Sequence, residues 1–327
     1  MKVATMPGLH TTLASGPPRG NLTQGLEKLR NTILNNGIPS NPDGMSDLRI
    51  YIWLVLLSAP PTPTDRYLDL VRQGPSPSYA KIRDDTFRTF TSDPLFRRRV
   101  TENSLTRVLN AVSWMLHDAH ESHINGWMSP PSIGSRPPLS FTGSPPPSSA
   151  PLHNNDRQSN GGSPVAARAT LAQHDGMSDT GMSSSAHGGQ EATTVGYVQG
   201  MNVLAAPFCY AARSEVQAFT AFNTFLKTQI PGYVRGGSME GVHKGTKLVD
   251  RILEVVDKKL SQHLQEHHLS AAIWAFGPVL TCCASVPPLP EVLNLWDFYM
   301  AYGAHLNLIC IVAQLVLIRD ELLRSPR

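Results

Sequence analysis

The sequence predicts an all-α protein, and three observations support this fold class. Apolar residues recur every three or four positions in many segments, as they do along one face of a helix. No segment shows the regular alternation of apolar and polar residues that is typical of a half-buried strand. No internal repeat with a period of about 20 to 50 residues occurs, which argues against a solenoid or a propeller. A chain of 327 residues, 41% of them hydrophobic, has room for two helical subdomains.

The first two predicted helices lie near the N-terminus. Residues 22–33 carry leucine and isoleucine at helical spacing, and Gly37 ends this first helix. The second helix begins with Ser46 or Asp47 as its N-cap and reaches Leu57, just before a proline-rich stretch. Both helices have an apolar face, so we expect both to pack into a core.

Two more helices follow before the composition changes. A third helix covers about residues 65–73. A fourth has its apolar face within residues 105–116, with Asn103 or Ser104 as the N-cap. The repeated leucine and valine of this fourth helix predict a core-facing element.

Residues 1–20 and 124–194 have the composition of disordered chain. The first segment contains proline, glycine, threonine and serine but no continuous apolar stretch, so it is not a signal peptide. The second is dominated by proline, serine and glycine, and no hydrophobic period survives in it. Helical sequence resumes directly after it. We therefore predict one domain over residues 21–327 that contains a disordered insertion at 124–194.

The helical pattern continues after the insertion. One helix covers residues 201–212, and Ser214 caps the next. Phenylalanine and leucine on one face of that second helix predict core packing, and these residues are Phe219, Phe222, Phe225 and Leu226. Apolar residues at helical spacing then predict a further long helix, marked by Leu248, Ile252, Val256 and Leu260. Three further helices are predicted at residues 271–283, 292–302 and 306–323.

Charge and cysteine content limit the classes of function. Lysine and arginine exceed aspartate and glutamate only by 28 to 25, so neither nucleic acid nor an anionic membrane is an expected partner. The longest apolar run, residues 306–318, is shorter than the roughly 18 to 20 residues that a membrane span needs. The four cysteines show no paired zinc-ligand spacing, which predicts reduced thiols in an intracellular compartment.

Two short clusters before the insertion combine arginine with a possible partner. Arg49 and Trp53 are four apart and share a helix face, which by itself is typical of a surface cation–π pair. Asp85 and Arg88 are three apart, so the carboxylate can hold the guanidinium. By itself, this second pattern is equally typical of a surface ion pair that contributes about 0 to 1 kcal/mol.

Two further clusters follow the insertion. Tyr197 and Gln199 lie in a glycine-flanked segment just before a helix, a pattern that alone fits an ordinary turn. Trp296 and Asp297 are adjacent within a predicted helix, and Gly303 follows them. None of the four clusters identifies a function when it is taken singly.

In this order, the clusters resemble the signature of the TBC family of Rab-type GTPase activators. That signature is an Arg-x-x-x-Trp, here residues 49–53, an Ile-x-x-Asp-x-x-Arg, here residues 82–88, and a Tyr-x-Gln, here residues 197–199. The Trp296-Asp297 pair is similar to a later family segment, although Asn294 stands where the family usually has arginine. Within the family, residues 105–111 and 196–208 resemble in particular those of the fungal TBC proteins that restrain mitotic exit and septation.

The resemblance implies a mechanism and a set of site residues. Arg88 matches the arginine finger and Gln199 the glutamine finger of the family, which together accelerate GTP hydrolysis on a small Ras-superfamily GTPase. Asp85 would hold Arg88. The residues expected to support the two finger loops are Arg49, Trp53 and Tyr197. The protein would be a catalytic activator with no substrate turnover of its own, and with no metal or cofactor, because the GTPase binds the GTP and its Mg²⁺.

The resemblance also implies a setting for the protein. We expect a cytoplasmic protein, with the spindle pole body as a candidate site and a scaffold subunit as a candidate second partner. Domains of this family usually continue through further helices beyond the point at which this chain stops. The resemblance therefore implies a TBC domain that is truncated at its C-terminus.

Two alternative functions are compatible with parts of the sequence. Residues 263–267 fit the His-x-x-Glu-His pattern of inverted zinc peptidases, but the pattern is short and only the adjacent His268 offers a third ligand. A solvated helix end is the simpler interpretation of this stretch. The other alternative is a non-catalytic TBC module that binds a GTPase or a scaffold without accelerating hydrolysis.

Overall fold

The computed structural model describes residues 21–91, 93–128, 196–234 and 239–325. These residues form α-helices joined by short turns, and no β-strand occurs among them, so the predicted all-α class is confirmed. The predicted N-terminal segment 1–20 and residues 129–194 of the predicted insertion lie outside the described part of the chain. Residues 124–128, which we assigned to the insertion, are helical.

Six helices precede the predicted insertion. They are α1 (Leu22–Asn36), α2 (Arg49–Leu56), α3 (Thr64–Arg72), α4 (Tyr79–Phe87), α5 (Pro94–Arg99) and α6 (Glu102–Met128). The helices after it are α7 (Met201–Ala211), α8 (Glu215–Thr228), α9 (Pro231–Val234), α10 (Glu240–Val256), α11 (Lys258–Glu266), α12 (Ala271–Trp274), α13 (Phe276–Leu280), α14 (Leu289–Tyr302), α15 (Asn307–Leu317) and α16 (Arg319–Arg324). A 3₁₀ turn over Ala304–Leu306 joins α14 to α15.

Buried apolar side chains form two cores within one compact unit. The first core is built by α1 to α8 together with α14. The second is built by α10 to α13 together with α15. Tyr233 and Leu295 pack against both cores and so connect them. These cores correspond to the two helical subdomains that the sequence predicts.

Polar caps begin several helices, but two predicted caps are wrong. Ser214 Oγ accepts a hydrogen bond from Gln217 N at 3.3 Å, as predicted. In contrast, α2 begins after Leu48 with no side-chain cap, and Ser46 Oγ accepts from Leu48 N instead. Thr101, and not Asn103 or Ser104, accepts from the first turn of α6. The Thr101 hydroxyl, two residues before Asn103 and three before Ser104, competes equally well for the free N–H groups, and spacing alone does not decide between such candidates.

The predicted long helix forms as α10 through Val256, but its predicted extension to Leu260 is wrong. The chain breaks at Asp257, whose side chain caps α11, so Leu260 belongs to a different helix from Leu248. Leu248 is 46% exposed and Val256 58% exposed. The buried face of α10 carries Val242, Val249 and Leu253 instead. The predicted helix over residues 271–283 is likewise two short helices, α12 and α13.

The packing of α4 and α7 prepares the site. Both helices pack against α6, and they also contact each other. Thr86 on α4 and Thr106 on α6 share a hydrogen bond between their hydroxyls at 3.0 Å. The C-terminal end of α4 and the turn before α7 therefore face each other beside α6.

Candidate functional site

Arg88 lies directly after α4, at the end of the helix, and its side chain points into solvent. Its Nη2 donates a hydrogen bond to Asp85 Oδ1 at 2.5 Å, as their spacing of three residues predicts. The arginine side chain is 62% exposed, whereas the aspartate side chain is only 7% exposed. The hydrogen bond and the charge of Asp85 raise the pKa of Arg88, so the guanidinium is always cationic. The buried Asp85 carboxylate thus binds one side of the exposed Arg88 guanidinium.

The same carboxylate holds Tyr197 on its other oxygen. The Tyr197 hydroxyl donates to Asp85 Oδ2 at 2.8 Å, and the tyrosine is 5% exposed. Burial and then the charge of Asp85 raise the pKa of Tyr197, which keeps the phenol protonated and able to donate. Asp85 therefore connects the Arg88 segment to the Gln199 segment, although the two are more than a hundred residues apart in the chain.

A second layer of hydrogen bonds fixes the backbone behind Asp85. Asn202 Nδ2 donates to Thr89 Oγ1 at 2.8 Å, and Thr89 Oγ1 donates to the carbonyl of Asp85 at 2.8 Å. Sequence reasoning assigned no role to Asn202 or Thr89. Asn202 could have been noticed, because it is a polar residue at the start of an otherwise apolar helix. These bonds limit the freedom of the turn that presents Arg88.

Gln199 lies in the turn before α7 and is exposed. Gly200, at the N-cap of α7, has φ +98°, and a Cβ there would lie 2.9 Å from a methyl carbon of Leu280. Gly196 has φ +129°, and a Cβ there would lie 2.9 Å from the carbonyl oxygen of Ser113. Both positions require glycine, because a side chain would be strained and crowded. The two glycines therefore fix the turn from which Gln199 projects.

A surface ion pair elsewhere shows what is special about Arg88. Arg72 and Asp69 have the same spacing of three residues and a similar distance, 3.0 Å. Their side chains are 70% and 69% exposed, so both partners are in water. In the Arg88 pair, only the arginine is in water. Surface pairs of the Arg72 type contribute little and hold neither side chain firmly, whereas Asp85 is fixed by Tyr197 and by its own burial.

Arg49 and Trp53 form a separate buried network with Asp297. Arg49 Nε donates to Asp297 Oδ1 at 2.9 Å and its Nη2 to Asp297 Oδ2 at 3.0 Å, while Trp53 Nε1 donates to Oδ1 at 2.8 Å. Arg49 also bonds to the carbonyl of Gly44 and to Asn294 Oδ1. Both side chains of the pair are at most 3% exposed. The surface cation–π interpretation is therefore wrong.

The structure thus separates the six predicted site residues into two groups. Asp85, Arg88, Tyr197 and Gln199 belong to the two facing segments beside α6. The hydrogen bonds of Arg49 and Trp53 lead to α14 and to the Gly44 loop, and not to those segments. Asn294, which replaces an arginine in the family pattern, accepts from Arg49 Nη2 at 3.3 Å and so takes part in the buried network.

The described residues contain no three-ligand metal site that would support the zinc-peptidase alternative. His263 and His267 on α11 pack edge to face, with ring centroids 4.6 Å apart. Within the described ranges, no group of three or more histidine, cysteine, aspartate or glutamate side chains is placed to hold a metal ion. In the same ranges, no helix combines the length and the apolar character that crossing a membrane would require.

Comparison with known proteins identifies a family and relatives that match most of this chain. The family model described as "Rab-GTPase-TBC domain" matches residues 190–323. Cell division control protein 16 of Schizosaccharomyces pombe is 34% identical over 94% of this chain and 76% of that protein. Mitotic check point protein BUB2 of Saccharomyces cerevisiae is 32% identical over 96% of this chain and 82% of that protein. Both matches are long enough to include the residues on each side of the predicted insertion.

Solved structures share the fold. The crystal structure of the Chlamydomonas flagellar RabGAP TBC domain matches with a TM-score of 0.58 and 17% identity, over 97% of this chain and 79% of that one. The structure of the Ypt/Rab-GAP domain of Gyp1p matches with a TM-score of 0.56 and 17% identity, over 92% of this chain and 82% of that one. At this identity, the likeness extends to the arrangement of the helices.

Proposed function

The chain belongs to the Rab-GTPase-TBC family, and from this premise we propose that it is a GTPase-activating protein acting on a small Ras-superfamily GTPase. Arg88 and Gln199 are its two fingers. The protein lends these side chains to the active site of its partner and has no substrate turnover of its own. GTP and Mg²⁺ belong to the GTPase in this proposal, and the chain itself needs no cofactor.

The chemistry of GTP hydrolysis explains why an arginine and a glutamine suffice. The transferring phosphoryl group carries charge on its oxygens, and an attacking water must be aligned with it. Arg88 supplies a delocalised cation whose forked N–H groups match phosphate oxygens, which a lysine does not reproduce. Gln199 supplies an amide that both accepts from and donates to the water. Both groups act by position and electrostatics, without a covalent intermediate.

One observation carries this proposal, namely the buried Asp85 that holds an exposed Arg88. The carboxylate is 7% exposed and is fixed by Tyr197, so the guanidinium is oriented before any partner arrives. Its side chain is nevertheless 62% exposed and free to reach into a second molecule. Preorganised charge of this kind avoids reorganisation during the reaction, which is where electrostatic catalysis gains most.

We extend the proposal to the cellular process through the relatives. Two of them are named as a cell division control protein and a mitotic check point protein. We propose a role in mitotic exit and septation control for this chain as well, with the cytoplasm and the spindle pole body as its sites. A scaffold subunit is the second partner that we propose.

Single-turnover GTP hydrolysis on a panel of purified small GTPases, with and without this protein, tests the proposal. We expect acceleration of at least one GTPase, lost in Arg88→Ala and kept in Arg72→Ala. Arg72 is the matched control because it is also an exposed arginine that pairs with an aspartate three residues away. Binding of a GTP-loaded GTPase without acceleration would replace this proposal with the non-catalytic module.

A further inference from the structure

Phe87 is the last residue of α4 and is 74% exposed. No other aromatic side chain among the described residues is exposed to that extent. A single exposed apolar residue is common on protein surfaces and by itself needs no explanation. The position of Phe87 singles it out, because it directly precedes Arg88.

The backbone geometry places Phe87 inside any interface that Arg88 enters. Consecutive Cα atoms are about 3.8 Å apart, so an arginine that reaches into a partner brings the preceding residue to the partner's surface. The core face of α4 carries Ile82, Asp85 and Thr86, which are buried. Phe87 lies on the opposite, solvent face, next to Arg88. Its ring is therefore available to a partner and is not needed for packing.

Charged side chains border the ring on the same face. Arg83 and Asp84, four and three residues before Phe87, are both exposed, and helical residues at these spacings are neighbours on the surface. An aromatic residue at the centre of a polar rim is the usual composition of an interface hot spot. Burying the ring against an apolar surface would remove it from water, which favours association.

We propose that Phe87 is the docking anchor for the GTPase, inserting into an apolar patch beside the nucleotide of the GTP-bound partner. This inference rests on the proposed function, because it takes the partner of Arg88 as the occupant. Phe87 and Arg88 have separate roles in this proposal. Phe87 determines affinity and partner choice, and Arg88 determines the rate of hydrolysis once the complex has formed.

The test separates affinity from rate. Hydrolysis is measured over a range of concentrations of the GTP-loaded GTPase with catalytic amounts of the wild-type chain, Phe87→Ala, Phe87→Leu and Leu317→Ala. We expect Phe87→Ala to raise KM by at least about tenfold, as loss of a hot-spot aromatic does, while kcat stays at the wild-type value. Phe87→Leu should recover part of the affinity. Leu317→Ala is the control, since Leu317 is 86% exposed on α15, and it should leave both constants unchanged.

Each other outcome has a definite meaning. A wild-type KM in Phe87→Ala overturns the inference and leaves the proposed function intact. A lower kcat at unchanged KM also overturns it, since Phe87 would then position Arg88. If no GTPase is accelerated, binding of the GTP-loaded GTPases is measured directly. Binding that depends on Phe87 would keep Phe87 as the docking anchor but overturn the proposed acceleration and the role of Arg88, and absence of binding would overturn both proposals. Unchanged thermal unfolding of Phe87→Ala is expected, because the ring is exposed.

Discussion

Two arginine–aspartate pairs of this chain have the same chemistry and opposite surroundings. Arg49 and Asp297 are 1% and 3% exposed, and four oxygen atoms accept hydrogen bonds from the guanidinium. Arg88 and Asp85 are 62% and 7% exposed, and the guanidinium has one described partner. Both pairs lie within the sequence pattern that suggested a function. Burial, and not residue type, separates the pair that connects two helices from the pair for which we propose a catalytic role.

The difference has an energetic basis. Taking two charges out of water costs several kcal/mol per ion, which only good geometry and further hydrogen bonds offset. The Arg49 pair meets that condition, because two hydrogen bonds from the guanidinium to the Asp297 carboxylate connect α2 to α14. In the Arg88 pair, only the carboxylate is desolvated, and the guanidinium keeps its other N–H groups in water while Nη2 stays bonded to Asp85. This comparison predicts a loss of stability in one case and a loss of rate in the other.

The largest expected effect is that of Arg88→Ala on hydrolysis. An arginine finger contributes about 10³ to 10⁵ in rate, and an exposed arginine contributes little to stability. We therefore expect most of the acceleration to disappear while the unfolding midpoint stays unchanged. Arg88→Lys should recover little of the acceleration, because a lysine ammonium lacks the forked N–H groups of a guanidinium. Near-normal single-turnover rates in Arg88→Ala would show that the finger assignment is wrong.

Breaking the buried Arg49–Asp297 pair should instead lower the stability of the fold. Arg49→Ala leaves Asp297 without its partner, and breaking a buried pair in this manner costs about 3 to 5 kcal/mol. The free energy of unfolding in denaturant measures this loss. Arg72→Ala, at an exposed pair, should change it by about 1 kcal/mol or less. Equal stability of Arg49→Ala and wild type would remove the distinction between the two pairs.

The pH dependence of the Arg49→Ala variant follows from Asp297. Burial raises the pKa of Asp297, and the charge of Arg49 opposes that rise. Without Arg49, the folded-state pKa lies further above the unfolded value, so the folded state binds a proton more readily. Stability is then greatest below the unfolded pKa and falls as pH rises through the folded one. The deficit of the variant should therefore shrink as the pH is lowered from neutral.

Much of the fold could be predicted from the periodicity of apolar residues, but periodicity did not identify every buried helix face. The aromatic face of α8 is buried as expected, with Phe219, Phe222 and Phe225 in the core. In α10, two apolar stripes compete, and spacing favoured the one that contains Leu248 over the one that contains Val249. Periodicity shows that a face is apolar, but it does not show which neighbour covers it.

The candidate site could be predicted only in part. The Asp85–Arg88 contact is local, so spacing indicates it. The bond from Tyr197 to Asp85 joins positions 112 apart, and that from Trp53 to Asp297 joins positions 244 apart. No local rule connects such residues, and only the resemblance to a family placed them together. The resemblance did not distinguish the buried Asp297 network from the segments that carry Arg88 and Gln199.

Gln199→Ala should give the next smaller effect, on rate and not on binding. A neutral amide that aligns water acts in the transition state and adds little ground-state affinity. Removing a single such group typically costs about 10² to 10³ in rate. The comparison uses a GTPase with and without its own catalytic glutamine, because that residue can mask the loss. Gln73→Ala, at an exposed glutamine after α3, is the control. A variant that fails to bind would instead place Gln199 in the docking surface.

Tyr197→Phe should give the smallest effect, and it tests whether Asp85 must be held from both sides. The change removes the hydroxyl that donates to Asp85 Oδ2 and leaves the bond from Arg88 to Oδ1. A hydrogen bond to a charged group contributes about 1.5 to 3 kcal/mol, so we expect a loss of stability of that size. The rate should fall by less than in Arg88→Ala, because the cation is still present.

Tyr67→Phe is the matched control for this last change. Its hydroxyl also donates to a carboxylate, Glu215 Oε2, at 2.8 Å, but Glu215 pairs with Arg107 and not with Arg88. Both variants should therefore lose stability, whereas only Tyr197→Phe should also slow hydrolysis. Equal rates in the two variants would show that Asp85 orients Arg88 without help from Tyr197, since burial of the carboxylate would then be sufficient.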